Sequence, residues 1–240
     1  MTDAGIRVAT FDCYGTLIDW EGGAAAFLYQ LGLRHEDPRL DPGRVLRDRW
    51  EAIQFGLLSG PWRPYRDVLA RSLEAFCEER GWPYRKKDGD AFVRSMRGWQ
   101  PFPDTRPALL QAKAQGLRSV IVSNTDGDII AHSLRHLELP FDDVITAEDV
   151  GAYKPADEVF EYALARIDEA PERVLHVAFG FKYDIAPAQR HGMHTAWVNR
   201  RVEPAPGAEQ PDHEWRDLWG LAELVGGPGP TRGRAAPTRR

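Results

Sequence analysis

The sequence predicts an α/β protein with a doubly wound parallel sheet at its core. From residue 101 onward, short apolar segments alternate with helix-like segments, which is the pattern of βαβ units and of a parallel sheet. Another apolar segment, Ile6–Phe11, stands near the start of the chain and is followed by a long region with apolar residues at helical spacing. We therefore expect an α/β core whose first strand is separated from the others by a helical insertion.

The inserted region is predicted to be helical. Gly81 and the run Pro101-Phe102-Pro103-Asp104 interrupt the apolar pattern, and both are typical of chain breaks. The segments with apolar residues at three- and four-residue intervals are 24–28, 45–58, 68–80 and 92–99. The predicted domains are therefore an α/β core of residues 1–20 and 101–225 and an α-helical domain of residues 21–100.

The remaining elements follow in alternating order. Helices are expected over 105–115, 128–137, 156–167 and 185–191, and strands over 118–122, 143–146, 173–178 and 195–198. The last segment, 226–240, is rich in Gly, Pro and Arg and has little to bury, so we predict a disordered basic tail there.

Composition and charge argue against a nucleic-acid-binding or membrane protein. The net charge is −5 and 28% of the residues are charged, which is typical of soluble globular chains, and no basic face accompanies the arginines of the tail. No segment has the pattern of a signal peptide or the length of a membrane span. The two cysteines, Cys13 and Cys77, are far apart, so we expect no disulfide and a cytoplasmic location.

Residues that can carry chemistry follow the predicted strands. Asp12 comes after the first strand, Ser123 and Asn124 come after the strand at 118–122, and Asp184 follows the strand at 173–178. Lys154 stands at the start of a predicted helix. Because ligands bind beyond the carboxyl ends of parallel strands, we expect these side chains to meet. A carboxylate such as Asp12 can displace a leaving group and form a covalent intermediate, which water then opens.

The tyrosine two places after Asp12 bears on the leaving group. A phosphate ester expels a poor alkoxide, which a positioned general acid assists. Tyr14 cannot take that part near pH 7, since tyrosine titrates near pH 10. The motif therefore favours a leaving group, such as halide, that departs without a proton. Simpler interpretations stay open: Asp12, Ser123, Asn124 or Asp184 as caps of turns or helices, and Lys154 as a surface lysine.

Three motifs carry a resemblance to a known family. They are Phe11-Asp12-Cys13-Tyr14-Gly15-Thr16-Leu17, Val120-Ile121-Val122-Ser123-Asn124-Thr125-Asp126 and Gly151-Ala152-Tyr153-Lys154-Pro155. In this order the chain resembles the haloacid dehalogenase superfamily. The tyrosine form of the first motif is similar to the 2-haloacid dehalogenase branch, and the Asp-x-Asp form is that of the phosphatases.

The resemblance implies a fold and a reaction. The helical domain corresponds to a cap over the active site, and the activity is hydrolytic release of halide from a short 2-haloalkanoic acid. Asp12 would form an ester, Lys154 would offset charge, and Asp184 would assist the hydrolytic water. Binding of the anionic substrate would fall to Tyr14, Thr16, Ser123 and Asn124. The resemblance implies no cofactor and is compatible with a homodimer.

The chain departs from the dehalogenase pattern in three places. Phe179-Gly180-Phe181 stands where serine and asparagine are usual, Glu51 stands where a halide-binding arginine is expected, and Phe160 replaces a tyrosine. Other candidates for the halide contact are Arg47, Arg49 and Arg63. The aromatic residues that could line an apolar pocket are Trp50, Phe55, Trp62 and Tyr65.

Two alternatives follow from these departures. One is a Mg²⁺-dependent phosphatase of small phosphoesters, with Asp12 and Asp184 as metal ligands. The other is a non-catalytic binding protein on the same fold. Neither a zinc motif nor a Gly-rich phosphate loop is present. His176 and His191 are interpreted as packing or surface residues, and Cys13 as an inert thiol.

Overall fold

The structure is a computed structural model that describes residues 5–226 of the 240-residue chain. The predicted disordered tail lies outside the described residues, apart from Gly226. Within residues 5–226, no helix is long and apolar enough to cross a membrane.

A six-stranded parallel sheet forms the core. The strands are β1 (Val8–Phe11), β2 (Arg118–Ser123), β3 (Asp143–Thr146), β4 (Val174–Ala178), β5 (His194–Val198) and β6 (His213–Trp215), in the order β3-β2-β1-β4-β5-β6. β1 is therefore central, and the chain continues to β2 and β3 on one side and to β4, β5 and β6 on the other. This confirms the predicted α/β fold. It also places the topological switch point, where such sheets bind ligands, beside β1.

The helices divide into two groups along the chain. The helical insert, between β1 and the rest of the core, consists of α1 (Trp20–Arg34), α2 (Gly43–Leu58), α3 (Tyr65–Arg80) and α4 (Lys86–Ser95). The later helices are α5 (Thr105–Ala114), α6 (Gly127–Leu137), α7 (Ala147–Val150), α8 (Asp157–Ile167), α9 (Ala186–Arg190) and α10 (Trp219–Leu224). The insert matches the predicted helical region, and its treatment as a separate cap domain stays a prediction.

The helical insert packs around aromatic side chains. Trp50 on α2 is fully buried, its ring lies 5.0 Å from that of Phe92 on α4, and its indole N–H donates to Ser72 on α3. Burying a side chain of this size stabilises the fold by about 1.5–3 kcal/mol. Trp50 is thus part of the interior of the insert and not of the wall of an apolar pocket, for which the sequence made it a candidate.

Some elements differ from the sequence prediction. Helix α4 begins at Lys86 and not near Phe92, because its first turn is polar and is closed by Asp88, which accepts a hydrogen bond from the Arg85 N–H. Strand β6 and helix α10 were not predicted. The short segment His213–Trp215 pairs with β5 alone, so it carries little of the apolar pattern of a buried strand.

One carboxylate of the core joins the sheet to the insert. Asp126, just after β2, accepts hydrogen bonds from the backbone N–H groups of Tyr65 (2.6 Å) and Arg66 (3.0 Å). Helix α3 begins after Pro64 and has no side-chain cap of its own. Asp126 therefore satisfies N–H groups that a helix start leaves unpaired, and its negative charge lies at the favourable end of the helix dipole.

Candidate active site

A buried lysine joins two carboxylates at the edge of the sheet. Lys154 Nζ lies 3.1 Å from Asp12 Oδ1 and 2.5 Å from Asp184 Oδ1, and it also donates to the Val122 carbonyl at 2.9 Å. All three charged groups are buried. Asp12 follows β1 and Asp184 lies in a π-helical turn (Phe181–Ile185) after β4. The structure therefore brings together the three residues predicted to be catalytic, and Lys154 is not a surface lysine.

Thr16 fixes the second oxygen of Asp12. The Phe179 N–H donates to Thr16 Oγ1 at 2.9 Å, and the Thr16 hydroxyl donates to Asp12 Oδ2 at 3.0 Å. Since the hydroxyl oxygen already accepts from the backbone, its proton is directed at the carboxylate. Both oxygens of Asp12 are thus held, and the carboxylate has one orientation.

The charges in this cluster divide unevenly. Burial raises the pKa of Asp12, and the charge of Asp184 adds to the rise against the opposing effect of Lys154. Burial would also raise the pKa of Asp184, but Lys154 and His176 outweigh it, so that this pKa lies below its ordinary value. The two carboxylates likewise outweigh burial at Lys154 and raise its pKa. Lys154 and Asp184 are therefore stabilised in their ionised forms, whereas burial disfavours the ionised form of Asp12.

His176 contacts Asp184 from strand β4. Its Nε2 lies 3.0 Å from Asp184 Oδ1, and its Nδ1 lies 2.8 Å from the hydroxyl of Thr10 on β1. An ionised carboxylate can only accept, so Nε2 carries the proton. Sequence reasoning treated His176 as a packing or surface residue. The contact with Thr10 follows from the pairing of Thr10 with His176 in the β1–β4 register, which no local motif reveals.

Two buried oxygens in the site have no hydrogen-bond partner within the described part of the chain: Ser123 Oγ and Asp184 Oδ2. An unsatisfied buried polar atom costs about 1–3 kcal/mol, so both are positions where a ligand or a water would be stabilised. The interpretation of Asp184 as a plain helix cap is wrong, because its side chain bonds to Lys154 and His176 and caps no helix.

Asn124 and Tyr14 have partners within the protein. The Asn124 side chain accepts from the Lys154 N–H at 2.8 Å and donates to the Lys154 carbonyl at 3.0 Å, so it holds the backbone of that lysine. The Tyr14 hydroxyl lies 2.9 Å from Ser133 Oγ. Burial raises the pKa of Tyr14 well above its usual range. Both residues line the cavity next to Asp12, and their predicted substrate contacts stay predictions.

A small inner cavity lies beside Asp12. It has a volume of about 60 Å³, and its walls include Ser123 from the sheet edge and Phe55, Gln54 and Tyr65 from the helical insert. Of the four aromatic residues considered from the sequence, Phe55 and Tyr65 thus reach the cavity. Trp62 is 42% exposed and does not line this cavity.

The arginines of the insert are directed elsewhere. Arg47 is buried and forms ion pairs with Glu21 (2.9 Å) and Glu51 (3.2 Å), so its charge is already neutralised. Glu51 is the member of this group that lines the cavity, and burial raises its pKa. Arg49 pairs with Glu79 at the surface. Neither these two nor Arg63 lines the inner cavity.

The residues of the site do not fit a Mg²⁺ ion in this arrangement. Three of the four oxygens of Asp12 and Asp184 already accept hydrogen bonds from Lys154, Thr16 or His176. Among residues 5–226 there is no group of three or more His, Cys, Asp or Glu side chains that could hold a metal ion.

The family model of the haloacid dehalogenase-like hydrolases matches residues 6–192. The chain belongs to this hydrolase family. The (S)-2-haloacid dehalogenase 1 of Pseudomonas sp. (strain CBS-3) is 27% identical over 224 residues, which cover 92% of this chain and 96% of the relative. The crystal structure of the L-2-haloacid dehalogenase RSc1362 superimposes with a TM-score of 0.81 and 26% identity, covering 92% of this chain and 99% of the other.

The chain is also similar to phosphatases. The phosphoserine phosphatase of Thermus thermophilus is 29% identical over 158 residues, 65% of this chain and 63% of that protein. The family model and the similarity to 2-haloacid dehalogenases confirm the family and the branch predicted from the opening motif.

Proposed function

We propose that this hydrolase removes halide from a 2-haloalkanoic acid through an ester on Asp12. The observation that carries the proposal is the hydrogen bond between the Tyr14 hydroxyl and the Ser133 hydroxyl. Tyr14 stands where a family phosphatase has its second aspartate, and here it offers no dissociable proton near neutral pH. A nucleophilic carboxylate without an adjacent general acid suits a leaving group that is a stable anion.

In the first step, Asp12 attacks the carbon that bears the halogen. A C–O bond forms, the C–X bond breaks, and halide leaves with the bonding electron pair, which inverts that carbon. Lys154 Nζ holds the attacking carboxylate in place and offsets the negative charge of the bound acid. The unpaired hydroxyl of Ser123 provides a polar contact for the substrate carboxylate, whereas the Thr16 hydroxyl holds Asp12.

In the second step, water opens the ester. The free Oδ2 of Asp184 accepts a proton from the water, whose oxygen adds to the Asp12 carbonyl carbon. The 2-hydroxy acid departs as its alkoxide oxygen takes that proton back from Asp184. Asp12 is restored with one oxygen from water, and the second proton of the water passes to solvent as Asp12 ionises. His176 and Lys154 hold the other oxygen of Asp184, so Oδ2 keeps a fixed direction. No cofactor enters this reaction.

The alternatives have less support. The similarity to phosphoserine phosphatase favours phosphoester hydrolysis, but the oxygens that would bind Mg²⁺ are largely occupied. A binding protein without activity would not need a lysine that is buried between two carboxylates, since such clusters are costly to desolvate.

We also infer a reducing cytoplasm from the free, buried Cys13 and Cys77. A homodimer is compatible with the family.

The test is halide release from 2-chloropropanoate and 2-bromopropanoate, with and without EDTA. We expect metal-independent release that Asp12→Asn abolishes, checked by mass for deamidation. Asp90→Asn, at an exposed position of α4, is the matched control. In a single turnover in ¹⁸O-water, the label should enter Asp12 and not the product. Label in the product would overturn the ester mechanism, and EDTA-sensitive phosphate release without halide release would favour the phosphatase.

A further inference from the structure

A second, larger cavity adjoins the inner one. This outer cavity has a volume of about 660 Å³. The two cavities share a wall formed by Glu51, Phe55, Leu58, Asn124, Phe179 and Tyr183. The two cavities are therefore adjacent, and a molecule whose reacting carbon lies beside Asp12 would reach the outer cavity between these side chains.

The two cavities differ in the size of the group that each can hold. Pockets for organic ligands commonly measure about 300–1,000 Å³, and the outer cavity lies within that range. The inner cavity, at about 60 Å³, has room for the reacting end of a molecule. A short 2-haloacid would leave the outer cavity filled with water only.

The wall of the outer cavity is rich in aromatic surface. Phe102, Phe181 and Trp197 line it together with Phe55 and Phe179. The Trp197 indole N–H donates to the Phe179 carbonyl at 2.9 Å, and the Phe181 ring packs edge-on against Trp197 at 5.1 Å. The polar atom of Trp197 is thus satisfied, and what these residues offer to a ligand is apolar.

The charged groups of the wall are held in ion pairs or exposed to solvent. Arg200 forms a two-fold ion pair with Asp104 and lies over the Phe102 ring. Arg201 pairs with Glu21. Lys182 is exposed to solvent, where pairing with an anion contributes little. The cavity therefore favours an uncharged group over an anionic one.

We propose that the substrate is a 2-haloalkanoic acid with an apolar side group of about aryl size, which occupies the outer cavity. The inference rests on the proposed function and specifies its substrate class. It also gives Phe179 and Phe181 a role: they replace the polar residues of the dehalogenase pattern because the group beside them is apolar. The loss of polarity at this strand end is then a change of substrate.

The experiment compares kcat/KM for 2-bromopropanoate, 2-bromohexanoate and 2-bromo-3-phenylpropanoate by halide release. Each buried methylene is expected to raise kcat/KM about fourfold and the phenyl group about tenfold or more over the methyl. Ser59→Trp places a large side chain in the outer cavity from the exposed end of α2 and should lower the phenyl-to-methyl ratio about tenfold. Gln115→Trp, at the exposed end of α5, should leave that ratio unchanged.

A binding measurement separates the two proposals. Calorimetry with 2-hydroxy-3-phenylpropanoate and 2-hydroxypropanoate measures the outer cavity without any turnover. If no substrate releases halide but the phenyl acid binds at least tenfold more tightly, the dehalogenase function fails and the apolar outer site stands. If the smallest bromoacid is the best substrate, or both hydroxy acids bind equally, the inference about the side group is wrong.

Discussion

Replacing Lys154 by methionine tests whether one ammonium group holds the buried charge cluster. Its Nζ lies 3.1 Å from Asp12 and 2.5 Å from Asp184, and both carboxylates are buried. At an effective dielectric constant of about 20, unit charges about 3 Å apart attract by about 5 kcal/mol, from which the cost of desolvation is subtracted. Breaking such a buried pair typically costs about 3–5 kcal/mol, and we expect Lys154→Met to lower the free energy of unfolding by this amount near neutral pH.

This loss of stability is expected to shrink in acid. In the wild type, the pKa of Asp184 lies below its ordinary value, so the ionised carboxylate stabilises the fold above the unfolded-state pKa, and this stability is lost as the pH falls through the folded-state pKa. Without Lys154, burial becomes the stronger influence and raises the pKa of the carboxylates. The variant is then relieved by protonation as the pH falls, and its difference from the wild type decreases.

The assay is urea unfolding followed by circular dichroism, at about pH 7.5 and about pH 5. Lys113→Met, at an exposed position of α5, is the matched control and should change stability little. Adding Asp184→Asn to Lys154→Met should recover part of the loss, because one unpaired carboxylate is removed. A loss below about 1 kcal/mol, as for a surface pair, or an equal loss at both pH values would refute the reasoning.

Three further predictions concern the same site. Because burial raises the pKa of Asp12, single-turnover halide release should already decline at pH values above about 3.9, the usual aspartate pKa. A rate that stays constant as the pH is lowered to that value would contradict this. Gly15 has φ +103°, and a Cβ added there would lie 2.4 Å from the ring of Phe179. Gly15→Ala should therefore lower the free energy of unfolding by about 1–3 kcal/mol. In urea unfolding, Gly56→Ala, which meets nothing within 4 Å on helix α2, should instead stabilise by about 0.5–1 kcal/mol; effects of the same sign would refute the steric account. His176→Phe removes the hydrogen bond to Asp184 and should slow ester hydrolysis more than ester formation, seen by rapid quench as a burst of halide; equal slowing of both steps would indicate a purely structural role.

The sequence was most informative where chemistry follows a strand. Asp12, Ser123 and Asp184 were expected at one sheet edge because parallel strands share their carboxyl ends, and the structure places Asp12 and Asp184 against the same lysine. The alternation of short apolar and helical segments was enough to predict the sheet, since strands covered on both faces are apolar along their length.

What the sequence did not reveal depends on contacts between distant segments. The hydrogen bond between Thr10 and His176 follows from the pairing of β1 with β4, and the ion pair of Arg47 with Glu21 follows from the packing of α1 against α2. Neither has a local pattern. The outer cavity was not predicted either, because part of its wall belongs to the irregular segment after β5.

The contact of Asp126 with helix α3 limits how freely the helical insert can be exchanged between relatives. A helix that begins after proline without its own capping side chain relies on an acceptor supplied from the loop after β2. A chimera that receives another insert would therefore need a carboxylate at position 126 and unpaired N–H groups at the matching helix start. The loop and the helix therefore have to be exchanged together, although 60 residues of sequence separate Arg66 from Asp126.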